Sequence, residues 1–149
     1  MKRIVVIIVM FCLYGCSFGL SGVEKTIQNY EDAINERNMD SMLECFTPSF
    51  QSKMKKQLTE MKMATKVLGV VTEVDISDFI NNDTFSYVLD EGLEGNTVEI
   101  KIIDIQYNND ETRAEVKANM INGDKEEIGT FKMSKISRKW YIDPGKGML

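Results

Sequence analysis

Chemistry in a small protein usually starts from a few ionisable or nucleophilic side chains, and this chain lacks the commonest of them. Histidine is absent from all 149 residues. That removes the Ser-His-Asp and Cys-His nucleophile pairs, His-ligated zinc or haem, and the usual general base near neutral pH. Of the three cysteines, Cys12 and Cys16 lie within or at the end of an apolar N-terminal stretch, which leaves Cys45 alone in the body. A single thiol builds neither a disulfide framework nor a thiolate metal cluster. No basic residue is closer to Cys45 in sequence than Arg37 and Lys53, so nothing nearby depresses its pKa, and a small buried apolar role is expected. Asn81-Asn82-Asp83 and Asn108-Asn109-Asp110-Glu111 offer oxygens of the kind calcium takes. Neither has the alternating ligands, central glycine and terminal Glu of a calcium loop, whereas Asn and Asp are ordinary turn residues. Turns are the expectation, with no metal and no cofactor.

The rest of the composition bounds the class. An apolar content of 43% and a charged content of 28% suit one folded domain of ordinary size. The net charge is −5; leaving out Lys2 and Arg3, the side chains count 16 positive against 23 negative, or −7. A body that acidic argues against binding nucleic acid, which needs clustered positive charge. Lys2-Arg3 precedes ten apolar residues, Ile4 to Leu13, and then Tyr14-Gly15-Cys16-Ser17. A basic start and a short apolar run ending in small residues is the signal-peptide pattern. As a helix ten residues rise only about 15 Å, against roughly 30 Å of hydrocarbon, too little for a permanent span. Leu13-Tyr14-Gly15-Cys16 resembles the lipobox of bacterial lipoproteins, although Tyr14 stands where that family usually has a small residue. The resemblance implies cleavage before Cys16, lipidation of that cysteine and a membrane tether held by more than one acyl chain. Ser17 in place of Asp would favour the outer membrane of a two-membrane bacterium. The expected organisation is a signal peptide over 1–15, a lipidated tether over 16–20 and a single domain over 21–149.

Ser21-Gly22-Val23-Glu24 is a capping-box signature, and Val23, Ile27, Tyr30 and Ile34 then recur on one helical face, with Asn38 a stop. Asp40 is expected to cap a short helix through Phe46 that presents Met39, Met42, Leu43 and Phe46. Thr47-Pro48 opens a third helix whose apolar face is Phe50, Met54, Leu58 and Met61. Lys53, Lys55, Lys56 and Lys62 decorate it as a solvated face interrupted by Glu60. Alternation over Val70–Ser77 predicts a strand, and Phe85, Tyr87 and Leu89 a second short strand or an irregular lid. Asp90 to Asn96 reads as a loop. Val98–Tyr107, Thr112–Ile121, Glu127–Ile136 and Trp140–Asp143 read as a meander with one face to bury. In the first of these the inward set changes phase, from Val98, Ile100 and Ile102 to Ile103, Ile105 and Tyr107, which predicts a bulge. Asn122-Gly123 signals a hairpin, and Gly129 is a candidate second bulge.

The expected fold class is therefore α+β, three N-terminal helices packed on a strongly curved antiparallel sheet in a cone. From Val23–Asn38 with Met39-Asp40-Ser41-Met42-Leu43, the Phe46-Thr47-Pro48 helix entry and the closing Gly129 to Trp140-Tyr141-Ile142 strands, the chain resembles the nuclear-transport-factor-2-like (cystatin-like, SnoaL-like) superfamily. Within it, the likeness is to small bacterial lipoproteins that carry a domain of unknown function. That superfamily holds isomerases, cyclising enzymes, dimerising adaptors and binding modules, so the fold does not choose among them. The resemblance implies a cone pocket, with Tyr30, Tyr87 and Tyr107 as its candidate ligand-binding residues. Its isomerases pair Asp with Tyr, which draws attention to Asp104; that residue is out of phase with Ile103 and Ile105 and is expected to face water.

The functional expectation is a non-enzymatic, lipid-anchored envelope protein, exported to the periplasm or cell surface. Its partners would be the membrane, through Cys16, and a small apolar ligand or an envelope protein. Two alternatives stand beside it: an isomerase- or hydrolase-like enzyme with a carboxylate–tyrosine pocket, and a self-associating module that uses the sheet face as a homodimer surface.

Overall fold

Ser21 and Glu24 close the predicted capping box: the Ser21 N–H donates to Glu24 Oε2 at 2.7 Å and the Glu24 N–H to Ser21 Oγ at 3.2 Å. Two of the backbone donors orphaned at a helix start are satisfied this way. The computed structural model describes residues 21–72 and 82–145. Helix α1 (Gly22–Asn35) buries Val23, Ile27, Ala33 and Ile34. Helix α2 (Met39–Glu44) is capped by Asn38, whose side chain accepts from the Ser41 N–H at 3.0 Å, not by Asp40 as expected. The amide reaches the third residue of the short helix, while Asp40 already lies inside its first turn. Helix α3 (Pro48–Thr72) starts at the predicted proline, with Phe50, Met54 and Leu58 half-buried.

The strand expected over Val70–Ser77 is corrected: through Thr72 the chain continues α3, and the remainder lies outside the described residues. Extending an established helix adds one hydrogen bond per residue. β-Branched side chains oppose that by only about 0.5 kcal/mol each. The segment with Phe85, Tyr87 and Leu89 is also corrected, to helix α4 (Asn82–Leu93). Phe85, Leu89 and Leu93 are half-buried at a spacing of four, while Tyr87 and Val88 are exposed. Asp90–Leu93 therefore belongs to the helix, and the loop is confined to the residues after it.

The meander is β1 (Val98–Tyr107), β2 (Arg113–Asn122), β3 (Lys125–Ile136) and β4 (Lys139–Ile142), antiparallel in the order β1-β2-β3-β4. The architecture is the expected α+β one, helices on an antiparallel sheet, with four helices among the described residues rather than three. The predicted bulge is present: the β1–β2 register slips between Ile102 and Asp104. Its extra residue, Ile103, is 53% exposed and so does not join the inward set. Gly129 is no bulge, since Ala118↔Gly129 continues an unbroken register. Its role is spatial: a Cβ there would lie 2.7 Å from the Met120 terminal methyl.

Val23 and Ile27 of α1 and Cys45 meet Ala114, Val116, Met133, Trp140 and Ile142 in one core, flanked by Tyr30, Phe46 and Phe131. Both sheet edges are engaged by the helical layer, which suppresses unwanted strand pairing. On β4, the Thr47 N–H donates to the Ile142 carbonyl at 3.0 Å and the Ile142 N–H to the Cys45 carbonyl at 2.8 Å. On β1, Asn35 accepts from the Val98 N–H at 2.8 Å and donates to its carbonyl at 2.9 Å. Glu31 Oε2, one helical turn earlier, accepts from the Ile100 N–H at 2.7 Å. Residues i and i+4 on one helix face thus stand in for a neighbouring strand.

Candidate ligand pocket

Arg37 decides where α4 lies. It follows α1 in the left-handed region, φ 56°, and its guanidinium spans the gap to α4. Nε donates to Asp90 Oδ1 at 2.7 Å, the terminal nitrogens to the carbonyls of Ile34 at 2.9 Å and Asn96 at 3.1 Å, and Ser86 Oγ donates back to the Arg37 carbonyl at 3.3 Å. Just past the C-terminus of α4, Lys125 Nζ pairs with Glu94 Oε1 at 2.5 Å and holds that carboxyl below its usual range. The C-terminal part of the helix is thus pinned to the end of α1 and to the start of β3.

Beneath it lies a pocket of about 390 Å³ between the helices and the sheet. Tyr30 and Ile34 come from α1, Leu89 and Leu93 from α4, and Val98 and Ile100 from β1; Met120 and Asn122 of β2 and the charged Lys125, Glu126 and Glu127 of β3 close the far wall. The volume falls in the range of small-molecule sites, and an apolar lining with few polar groups is the usual construction. Asn122 supplies one: its side-chain oxygen is buried and no donor among the described residues reaches it. Buried polar atoms are normally hydrogen-bonded; this oxygen is closed off from solvent, so a ligand donor reaches it only if the side chain turns toward the pocket.

The three tyrosines singled out from the sequence stand in different surroundings. Tyr30 lines this pocket, its ring edge-on to Phe46 at 5.7 Å and to Phe131 at 5.9 Å. Burial, and secondarily Cys45, pushes its hydroxyl pKa up. Tyr107 lines a separate groove of about 510 Å³ on the sheet, among Arg113, Glu115, Lys132 and Asp143, and packs edge-on against Trp140 at 5.7 Å. Tyr87 is 65% exposed on α4 and lines neither cavity. Asp104 is exposed, as expected, with Oδ2 accepting from Gln106 Nε2 at 2.9 Å. Glu31, next to Tyr30 in sequence, is committed to the Ile100 N–H.

Cys45 is buried, and burial, offset in part by Lys139, pushes its thiol up to about 11. A thiol so seldom ionised is a poor nucleophile. The Asn108–Thr112 stretch is a turn: Asn108 Oδ1 accepts from the Thr112 N–H at 2.9 Å and the Arg113 N–H at 2.8 Å, while Asp110 Oδ1 accepts from Thr112 Oγ1 at 2.7 Å. Those bonds to Thr112 hold the Asp110 carboxyl below its ordinary value. Asn81 lies outside the described residues, and Asp83 sits in the first turn of α4. Among the described residues no group of three or more Cys, Asp or Glu side chains is placed to hold a metal ion. No described helix is long and apolar enough to cross a membrane; Cys16 itself lies outside the described residues.

No protein-family model matches the chain, and no curated protein matches it. Among solved structures, it is similar to a Campylobacter jejuni protein provisionally named an NTF2-like transpeptidase, at 15% identity and a TM-score of 0.48 over 84% of this chain and 100% of that one. It is also similar to an NTF2-like protein of unknown function from Shewanella oneidensis, at 11% identity and a TM-score of 0.43 over 81% of this chain and 91% of that one.

Proposed function

We propose that the chain is an envelope lipoprotein, tethered to the cell membrane or outer membrane through lipid on Cys16, and that its folded body is a non-enzymatic binding module. Its ligand is a small amphipathic molecule, apolar over most of its surface and carrying a hydrogen-bond donor. The observation that carries the reading is the pocket under α4, walled by Tyr30, Leu89, Leu93 and Ile100, with the carboxylates of Glu126 and Glu127 on one side as acceptors. The neighbours of Tyr30 favour binding over catalysis. Rings flank it, the carboxylate next to it in sequence, Glu31, is taken by a backbone donor, and the carboxylates lining the same pocket, Glu126 and Glu127, are exposed.

N-Phenylnaphthylamine, apolar with a single N–H, is a suitable probe for this site. It is expected to bind saturably with enhanced fluorescence. Leu93→Arg puts a cation into the apolar wall, and burying an unpaired charge is costly enough to weaken binding at least about tenfold. Circular dichroism checks that the variant folds. Unchanged probe affinity in a folded Leu93→Arg variant would remove this pocket from the account.

A further inference from the structure

We infer that the tip of the β3–β4 hairpin, Lys135 to Lys139, rests on the anionic headgroups of the bilayer to which Cys16 tethers the chain. This rests on the anchor proposed above and specifies how the body sits on the membrane. The first argument is charge. From Lys132 to Tyr141 the chain carries Lys132, Lys135, Arg138 and Lys139 and no acid, although the whole protein nets −5. Those four charges leave the other residues at −9, so positive charge is concentrated where the remainder of the protein would be repelled. Among the described residues none of the four is in an ion pair. Lys135 Nζ lies 5.5 Å from the Trp140 ring and Lys139 Nζ 5.2 Å from the Tyr141 ring. Acids reach this end of the sheet from other elements: Glu24 on α1, Asp110 and Glu111 on the β1–β2 turn, where the Lys135 N–H donates to the Thr112 carbonyl at 2.8 Å, and Glu115 of β2 and Asp143 after β4, which flank Lys132 farther from the tip.

The second argument is position. Helix α1 begins against the base of this hairpin: Gly22 approaches Trp140 so closely that a Cβ would sit 2.7 Å from its ring, and Thr26 Oγ1 donates to the Trp140 carbonyl at 3.0 Å. Five Cα steps separate Cys16 from Ser21, a reach of about 18 Å at full extension. A lipid on Cys16 therefore holds this end, rather than the α4 end, near the headgroups.

The third argument is the tip itself. Ser137 at φ 50° and Arg138 at φ 71° both occupy left-handed backbone, the conformation for which two-residue hairpins choose Asn-Gly. An arginine there is strained for the turn but well placed for an anion, and Ile136 beside it is 41% exposed.

Basic residues near an anionic leaflet each raise affinity about fivefold, so Lys135, Arg138 and Lys139 together shift the docking equilibrium constant by about 100-fold. The test uses the full chain, acylated in a bacterial host and reconstituted into vesicles of phosphatidylcholine with or without phosphatidylglycerol. An environment-sensitive dye at Ile136→Cys reports the tip; Cys45, 5% exposed, stays unlabelled. Flotation with neutral vesicles reads the anchor separately. The expected result is flotation with both vesicle types and a blue shift only with phosphatidylglycerol. That shift should vanish in K135E/R138E/K139E and near 1 M salt, where the Debye length is about 3 Å. Flotation with both vesicles but identical emission overturns the docking and leaves the anchor standing. Failure to float with neutral vesicles overturns the anchor and, with it, this inference.

Discussion

Trp140→Ala should lower the stability of the body by about 3–5 kcal/mol, the usual cost of emptying a large aromatic site in a core. Trp140 is 7% exposed and ties together elements far apart in sequence. The first turn of α1 lies on its ring at Gly22, Tyr107 of β1 packs edge-on at 5.7 Å, and its carbonyl accepts from Thr26. Removing the indole takes away the surface on which helix and sheet meet, and a small neighbour such as Gly22 cannot fill the hole. A midpoint lower by more than about 10 °C is expected in thermal melts followed by circular dichroism, since each kcal/mol moves a domain of this size by several degrees. Trp140→Phe keeps a ring in place and should lose less than half as much. A loss below about 1 kcal/mol for Trp140→Ala would mean that the α1 start is held by something other than this contact.

Cys16→Ser should move the protein out of the membrane fraction and abolish its acylation. The side-chain change is one atom, but it removes the sulfur on which the lipid would be built. Stable attachment depends on more than one acyl chain, at about 0.8 kcal/mol per buried CH₂. Fractionation of cells metabolically labelled with a fatty-acid analogue reads both effects at once. A wild type that is unlabelled, with its N-terminus at a residue other than Cys16, would contradict the anchor.

Sequence and structure agree where the signal is local. Ser21 and Glu24 announce α1 by a capping box, and the two phases of isoleucine in Val98–Tyr107 announce the bulge by the only physical route to such a change. They part where one pattern fits two periods. Phe85, Tyr87 and Leu89 alternate as a strand would, yet Phe85, Leu89 and Leu93 also lie four apart, and in the helix those three are half-buried while Tyr87 and Val88 face solvent. The same helix forms one wall of the pocket, so misreading it hid the site. Arg37 gave no sign of its role, because its partners Asp90 and Asn96 lie 53 and 59 residues away and only the folded chain brings them together. Gly22 and Trp140 likewise carry no local mark of their contact. Of the three tyrosines that the resemblance implies for a pocket, only Tyr30 lines the one under α4.

The central claim is that this pocket holds a small amphipathic molecule, and native mass spectrometry of the acylated protein, released gently from its own host, tests it most directly. The account predicts a discrete mass in excess of the acylated chain that disappears on denaturation and is absent from Leu93→Arg. A bare monomer would contradict a resident ligand, and a bare dimer would point instead to a module that associates with itself.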